Sequence, residues 1–319
     1  MQSMSETIEL GENGGPGGPP PAPYRNLWVP LVIVPAVIVV AIVLVFVLFG
    51  AISGEEASLD QNLARVVHGG VNDRTQGLFN LVRQVAENQE ARGAGRELPW
   101  AMEEGFSERV ASAWDEVPEE DLKIRLTLAA LMSDMGDPAG VGHLEGFLAV
   151  SEADDGDGWI RFNTIYLLGK IGLPRAAAAR GPIQGFLGSS DGGLRSVAAI
   201  ALQNLPGEGT AQALVGALTD EVFEVRANAA IALSHLDAPQ RGEAAPLLRE
   251  LLDPATYARE RELDREKYTR GELISRNRVR ALEALARLDL AEDRALIESL
   301  AGAKDLALRE AALRAVGKD

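Results

Sequence analysis

Few residues in this sequence have the types and spacings needed to carry out chemistry. The chain has no cysteine, which excludes thiol nucleophiles, disulfides and zinc–thiolate sites. His68, His143 and His235 fall in different predicted elements, and none has a second ligand at metal-binding spacing. We find no Gly-x-Ser-x-Gly nucleophile motif, no phosphate-binding loop and no dinucleotide fingerprint. The sequence therefore predicts no catalytic residue, no cofactor and no metal, and we expect a protein that is not an enzyme.

The acidic, glycine-rich segment at residues 152–158 has the composition of a calcium loop. Trp159, however, stands where an EF-hand loop needs its third oxygen ligand. We interpret the segment as a solvated turn between two helices, with a calcium site as the alternative.

Paired amphipathic helical segments after residue 58 must position any functional side chains. The second segment of each pair carries an arginine, usually after an apolar residue and before small or apolar residues. Residues 194–205 and 225–236 agree almost position for position. This pattern predicts stacked helical hairpins, because one hairpin cannot bury its apolar face alone. The arginines recur at intervals of 31 to 36 residues, with one interval of 52: Arg125, Arg161, Arg195, Arg226, Arg278 and Arg309.

The repeated motif resembles the HEAT-repeat family, in particular its short bacterial form, also called phycobilisome-lyase HEAT-like. The resemblance is strongest at residues 181–236 and weakest at 58–88, where Asp73-Arg74 is the matching pair. It implies an all-α fold, an α-solenoid of about seven helical hairpins whose second helices line a concave face. It also implies a protein-binding scaffold, without naming the partner.

An aspartate usually lies four residues before each repeated arginine, as Asp191 does before Arg195. Arginine and carboxylate groups at this position favour hydrogen bonds between adjacent hairpins, and the alternative is a basic stripe that binds an acidic ligand. We expect Arg195 and Arg226 to tie hairpins together through Asp191 and Asp220. The predicted structural ladder consists of Asp191, Arg195, Asp220, Arg226, Arg161, Arg125, Arg278 and Arg309.

One hairpin carries an insertion at about residues 254–272. The last leucine of the first helix precedes the arginine by 8 residues in two repeats, but Leu252 precedes Arg278 by 26. Together with the lengthened turn at 152–157, the insertion predicts that partners bind at this edge of the solenoid. The alternative is a helix extension stabilised by charge pairs. The candidate partner-binding residues in the insertion are Tyr257, Arg261, Arg265, Tyr268 and Arg270.

The N-terminal part of the sequence predicts a membrane anchor. Residues 1–25 are rich in glycine and proline and predict a disordered tail. Residues 26–53 predict a single transmembrane helix, since the uncharged run at 27–49 spans about 34 Å against a hydrocarbon thickness of about 30 Å. A cleaved signal peptide is the alternative. Arg25 on the N-terminal flank favours a repeat domain on the extracytoplasmic side.

The remaining boundaries are a degenerate first repeat and linker at 54–105 and a HEAT-like α-solenoid at 106–319. The formal net charge of -16 argues against a nucleic-acid partner, because an acidic surface repels phosphate. We therefore expect a membrane-anchored scaffold or accessory subunit that binds other proteins, in particular subunits of a membrane complex. The alternatives are a bilin-lyase-like or other modifying enzyme and a chaperone-like envelope protein.

Overall fold

The computed structural model describes residues 56–259 and 270–317, and the residues from Ser58 onward form one compact unit. The predicted tail at 1–25 and the whole of the predicted transmembrane helix at 26–53 lie outside the described residues. Within the described ranges, no helix combines the length and the apolar character that crossing a membrane requires.

The described residues form seven helical hairpins, which confirms the predicted α-solenoid. Short 3-10 segments extend several helices, including Phe186–Gly188, Leu202–Asn204 and Pro254–Arg259. The fourteen α-helices of the described ranges are α1 (Leu59–His68), α2 (Val71–Gly93), α3 (Phe106–Glu116), α4 (Leu122–Asp134), α5 (Pro138–Phe147), α6 (Trp159–Ile171), α7 (Arg180–Gly185), α8 (Gly192–Ala201), α9 (Thr210–Ala217), α10 (Phe223–His235), α11 (Ala245–Leu252), α12 (Arg270–Leu288), α13 (Arg294–Leu300) and α14 (Leu306–Val316).

Polar residues at the helix starts fix where several hairpins turn. Ser58 and Gln61 form a capping box at α1, in which each side chain binds the other residue's backbone N–H group. Asp137 caps α5 just before a proline at the first helical position. Asp305 caps α14 by accepting from the backbone N–H group of Leu308. The aspartates of the repeat motif therefore serve, in part, to start helices.

The second helices of the hairpins stack in one continuous layer, from α2 through α4, α6, α8, α10 and α12 to α14. Ala198 and Ala229, which the sequence placed in this layer, are fully buried. A Cβ atom at Gly169 of α6 would overlap the backbone and side chain of Ala201 in α8. Small residues therefore let neighbouring helices approach closely, as the repeat pattern requires.

Two hydrophobic clusters fill the space between the helices. The smaller one belongs to the first two hairpins and runs from Leu59 to Met132, and the larger one runs from Leu126 to Ala312. Helix α4 contributes to both, with Leu126 in the larger cluster and Leu128 in the smaller one. This helix is therefore a wall shared by the two cores.

The predicted insertion is partly regular structure. Residues Pro254–Arg259 form a 3-10 helix, and α12 begins at Arg270, eight residues before Arg278. Residues 260–269 lie outside the described ranges. Both described ends of the insertion are therefore helical.

Candidate functional site

Arg195 joins the fourth and fifth hairpins. Its Nε and Nη2 atoms donate to the two carboxylate oxygens of Asp220, at 2.8 and 2.9 Å. Its Nη1 atom donates to the carbonyl oxygens of Ser189 and Ser190. Burial raises the pKa of Asp220, but hydrogen bonds from Arg195 and from the Val222 backbone outweigh this effect and hold the pKa below its ordinary value. Arg195 thus has a structural role, because its bonds to Asp220 join two hairpins and its bonds to Ser189 and Ser190 hold the turn of its own hairpin.

Within the part of the chain that the structure describes, Asp191 pairs with no arginine, which corrects the predicted ladder. Its Oδ1 atom accepts from the backbone N–H groups of Gly193 and Leu194, at 2.7 and 3.3 Å. The first turn of a helix has unsatisfied N–H groups, and Asp191 supplies the acceptor for α8. Arg226 donates from Nη1 to the carbonyl oxygens of Asp220 and Glu221, at 2.8 and 3.0 Å.

The other predicted ladder arginines act locally. Arg125 lies 3.8 Å above the ring of Trp114, so it makes a cation–π contact with the first helix of its own hairpin. Arg278 donates from Nε to the carbonyl oxygen of Leu252 at 2.8 Å. Within the part of the chain that the structure describes, the Arg309 side chain makes no hydrogen bond. None of these three joins two hairpins through a carboxylate.

The acidic turn at 152–158 is not simply solvated, which corrects a second prediction. Asp155 is buried and accepts from the backbone N–H groups of Ile160 and Arg161, at 2.9 and 3.0 Å, and from Arg161 Nε at 3.0 Å. Burial raises the pKa of Asp155, but these hydrogen bonds prevail and lower it below its ordinary value. The carboxylate therefore caps α6. Among the described residues no group of histidines and carboxylates is arranged to hold a metal ion.

Further arginine–carboxylate pairs join hairpins that the sequence did not connect. The pair of Arg74 and Asp121 repeats the relation between Arg195 and Asp220. The sequence could have predicted this pair, because Arg74 occupies the motif position. The other two pairs join the first helices of neighbouring hairpins, and their residues do not belong to the repeat motif. These pairs are Arg74–Asp121, Arg109–Asp60 and Arg249–Asp293.

Tyr257 is a core residue, which corrects its predicted role in binding a partner. Its side chain is fully buried, its hydroxyl group donates to the carbonyl oxygen of Leu251 at 2.8 Å, and its ring packs edge-on against Phe223. Burial raises the pKa of the Tyr257 hydroxyl group. Arg270 donates to the Tyr257 carbonyl oxygen at 2.6 Å and so holds the start of α12. The other candidates, Arg261, Arg265 and Tyr268, lie outside the described residues.

Helix α6 exposes three aromatic side chains in the second-helix layer. Trp159, Phe162 and Tyr166 are 39%, 41% and 54% exposed. Their spacing of three and four residues places them on one face of the helix, opposite the buried Ile165 and Leu168. We call these three residues the aromatic face. The sequence signal was present in the i, i+3, i+7 spacing, but an apolar stripe usually indicates a buried face.

A pocket of about 300 Å³ adjoins the aromatic face between α6 and α8. Trp159 and Phe162 line it together with Asp157 and Asp191. From the α4 side, the Nζ atom of Lys123 lies 5.1 Å from the centre of the Trp159 ring. The aromatic face therefore combines apolar rings with charged groups at its margin, which is the composition of a protein-binding surface.

A row of polar side chains crosses the same layer further along the stack. Asn228 of α10 donates to Ser196 Oγ of α8 at 2.9 Å, and Arg280 Nη2 of α12 donates to Asn228 Oδ1 at 3.1 Å. Ser196 follows Arg195 by one position, as Phe162 follows Arg161. Equivalent positions of stacked repeats lie on one face. The polar row and the aromatic face therefore belong to the same surface.

A second pocket, of about 220 Å³, lies beside this row and spans α8, α10 and α12. Gln203, His235, Arg280, Glu283 and Arg287 line it, with two isoleucines. The His235 Nδ1 atom is 2.8 Å from the Ile231 carbonyl oxygen, which can only accept, so Nδ1 carries the proton. Burial lowers the pKa of His235, so the ring is neutral at pH 7.

Comparison with known proteins supports the repeat interpretation. Residues 180–263 match the family model of HEAT repeats. A search of curated proteins gave no match. The match covers the fourth and fifth hairpins and enters the sixth, where the sequence motif is clearest.

Several solved structures are similar over most of the chain. An engineered protein is 15% identical with a TM-score of 0.37, covering 81% of this chain and 95% of its own. Human deoxyhypusine hydroxylase in complex with glycerol is 16% identical with a TM-score of 0.29, covering 81% and 94%. A designed armadillo repeat protein in complex with the peptide (KR)4 is 16% identical with a TM-score of 0.31, covering 82% and 99%. The fold is defined by the packing of the helices.

Proposed function

We propose that this chain is a membrane-tethered, non-enzymatic scaffold that binds other proteins through the exposed face of its second helices. The observation that carries this proposal is the aromatic face. Trp159, Phe162 and Tyr166 are all more than a third exposed, although burying each ring would be favourable. Aromatic residues are enriched where proteins bind one another, and an exposed cluster of them marks such a site.

The stacked architecture supports the same function. Successive second helices build one extended surface, so a single partner segment can contact several hairpins. The net charge of -16 disfavours nucleic acid as the ligand of that surface. Helical-repeat folds bind proteins by this route, and the HEAT-repeat match at 180–263 agrees with it.

We infer the membrane tether from the sequence alone. The uncharged apolar run at 27–49 is long enough to cross a bilayer, and Arg25 precedes it. We place the repeat domain on the extracytoplasmic side, as an accessory subunit of a membrane complex.

The test is crosslinking of the full chain in native membranes, followed by purification of the crosslinked proteins. We expect a defined partner with the wild-type chain and its loss with the double variant Trp159→Ala, Tyr166→Ser. The matched control is Leu306→Ser, since Leu306 is 61% exposed but lies at the end of the stack. Equal recovery of the partner by the aromatic variant and the control would exclude the aromatic face as the binding site.

A further inference from the structure

Arg280 differs from the arginines that form ion pairs with carboxylates. Arg161, Arg195 and Arg249 each donate to a carboxylate, at 3.0, 2.8 and 2.6 Å. Arg280 is partly buried and donates to the neutral amide oxygen of Asn228. Within residues 56–259 and 270–317 it makes no ion pair. Partial burial of a guanidinium group without a counter-charge is unfavourable, so this position would be stabilised by an anion.

Near Arg280, Arg287 adds positive charge and Gln203 adds hydrogen-bond donors, whereas the Nε2 atom of the neutral His235 ring is an acceptor. Arg287 lies two turns further along α12 and lines the same pocket, with Gln203 and His235 opposite. Glu283, which also lines the pocket, approaches Arg314 of α14 at 3.6 Å. Arg280 itself lines the pocket, and none of its nitrogen atoms is both buried and without a partner.

We propose that this pocket, the arginine pocket of Arg280, Arg287, Gln203 and His235, binds a carboxylate side chain of an acidic segment in the partner protein. A guanidinium group presents paired N–H donors that match a carboxylate. The pocket volume of about 220 Å³ accommodates one such group. Because the chain has a net charge of -16, its surface as a whole repels acidic segments, and a local pair of arginines is needed to select one.

The proposal rests on the proposed function, and it adds a chemical description of the partner. Three helix steps separate α6 from α12 in the layer, which is about 25–30 Å at about 8–10 Å per step. An extended segment covers this distance with about eight residues at about 3.3 Å per residue. The partner segment therefore combines an apolar residue at the aromatic face with an acidic residue about eight positions away.

The experiment uses the full chain in detergent micelles and a fluorescein-labelled octaglutamate peptide, with binding followed by fluorescence anisotropy. We expect the wild-type chain to bind octaglutamate through Arg280 and Arg287, whereas octalysine, which the acidic surface attracts non-specifically, should bind no more weakly to variants of these two residues than to the wild type. Loss of one charge-assisted hydrogen-bond pair weakens binding about tenfold or more, so Arg280→Gln and Arg287→Gln should both do so. The charge-matched control is Arg96→Gln, since Arg96 is 61% exposed and lies in the first hairpin region. It should bind like the wild type.

A second measurement does not depend on variants. The chain has three histidines, so their ring resonances can be followed by NMR. Octaglutamate should shift the His235 resonance and leave those of His68 and His143 in place.

Several results would overturn the arginine pocket: no binding of octaglutamate by the wild type, equal weakening by Arg96→Gln, or tighter binding of inorganic phosphate than of the peptide. The crosslinking experiment separates this failure from failure of the proposed function. If Arg280→Gln keeps the natural partner and the Trp159 variant loses it, the pocket is wrong and the scaffold stands. If both keep the partner at wild-type yield, the proposed function is wrong as well.

Discussion

At the scale of single residues, arginine–carboxylate pairs set the spacing of the hairpins. The Arg195 and Asp220 side chains are only 9% and 13% exposed, so removing one partner leaves the other charge largely shielded from water. Such a loss is more harmful than removing both charges, because the unpaired group keeps its desolvation penalty.

We therefore expect Arg195→Ala to lower the free energy of unfolding by about 2–4 kcal/mol. The exposed pair of Arg96 and Glu90 provides the control, and Arg96→Ala should change stability by less than about 0.5 kcal/mol. Urea unfolding followed by circular dichroism measures both. If the double variant Arg195→Met, Asp220→Leu is as unstable as Arg195→Ala, the loss comes from packing and not from an unpaired carboxylate.

The lowered pKa of Asp155 predicts that the stability of the fold depends on pH. Its pKa is lower in the folded chain than in the unfolded chain, because hydrogen bonds from Ile160 and Arg161 outweigh burial. Its contribution to stability is therefore present above the unfolded pKa, about 3.9, and is lost as the pH falls through the folded pKa. The variant Asp155→Asn should be less stable than the wild type at pH 7, and the difference should shrink in acid. Thermal melts from pH 7 to pH 2 measure it, and a constant difference would contradict the assignment.

Sequence reasoning predicted which arginines repeat but not their partners. The partner of Arg195 depends on how α8 and α10 stack, and this offset is a property of the tertiary packing. Tyr257 shows the same limit, since a tyrosine in a charged insertion has the composition of a surface residue. Its burial follows from tertiary contacts, namely the hydrogen bond to the Leu251 carbonyl oxygen and the packing of its ring against Phe223.

At the scale of elements, the hairpins were predictable because their apolar period recurs. The order of short helix, turn and longer helix from α5 to α11 follows the leucine and alanine positions in the sequence. The insertion was predictable in place but not in extent, since α12 gains its first two turns from residues that carry no motif. Mixed charge suits both an exposed helix and an irregular loop.

Because both described ends of the insertion are helical, a shorter deletion can be designed between them. Replacing residues 260–269 with a short Gly-Ser link should leave the helical content and melting temperature close to those of the wild type, because Tyr257 and Arg270 stay in place. Extending the replacement to 255–271 removes the Tyr257 ring from the core and should cost about 3–5 kcal/mol, the range for a large aromatic core residue. Circular dichroism of both variants tests this, and equal stability would mean that the Tyr257 contacts do not support the fold.

At the scale of the whole molecule, the composition separates the chain into a predicted anchor and a helical array. We expect the full chain to stay in the membrane fraction after a carbonate wash and to need detergent for extraction. Removing residues 1–53 should release it into the aqueous fraction. An intact mass that shows cleavage after Ser53 would support the signal-peptide alternative and contradict the tether.

The wall formed by α4 limits how this array can be shortened. Repeat arrays are usually modular, and a hairpin at either end can be removed with a small loss. Here Leu126 of α4 faces the larger core while Leu128 faces the smaller one. A break between the second and third hairpins would therefore uncover apolar surface on both fragments. Proteolytic fragments that end at this point should aggregate. We therefore expect the first two hairpins to stay folded only together with the rest of the domain.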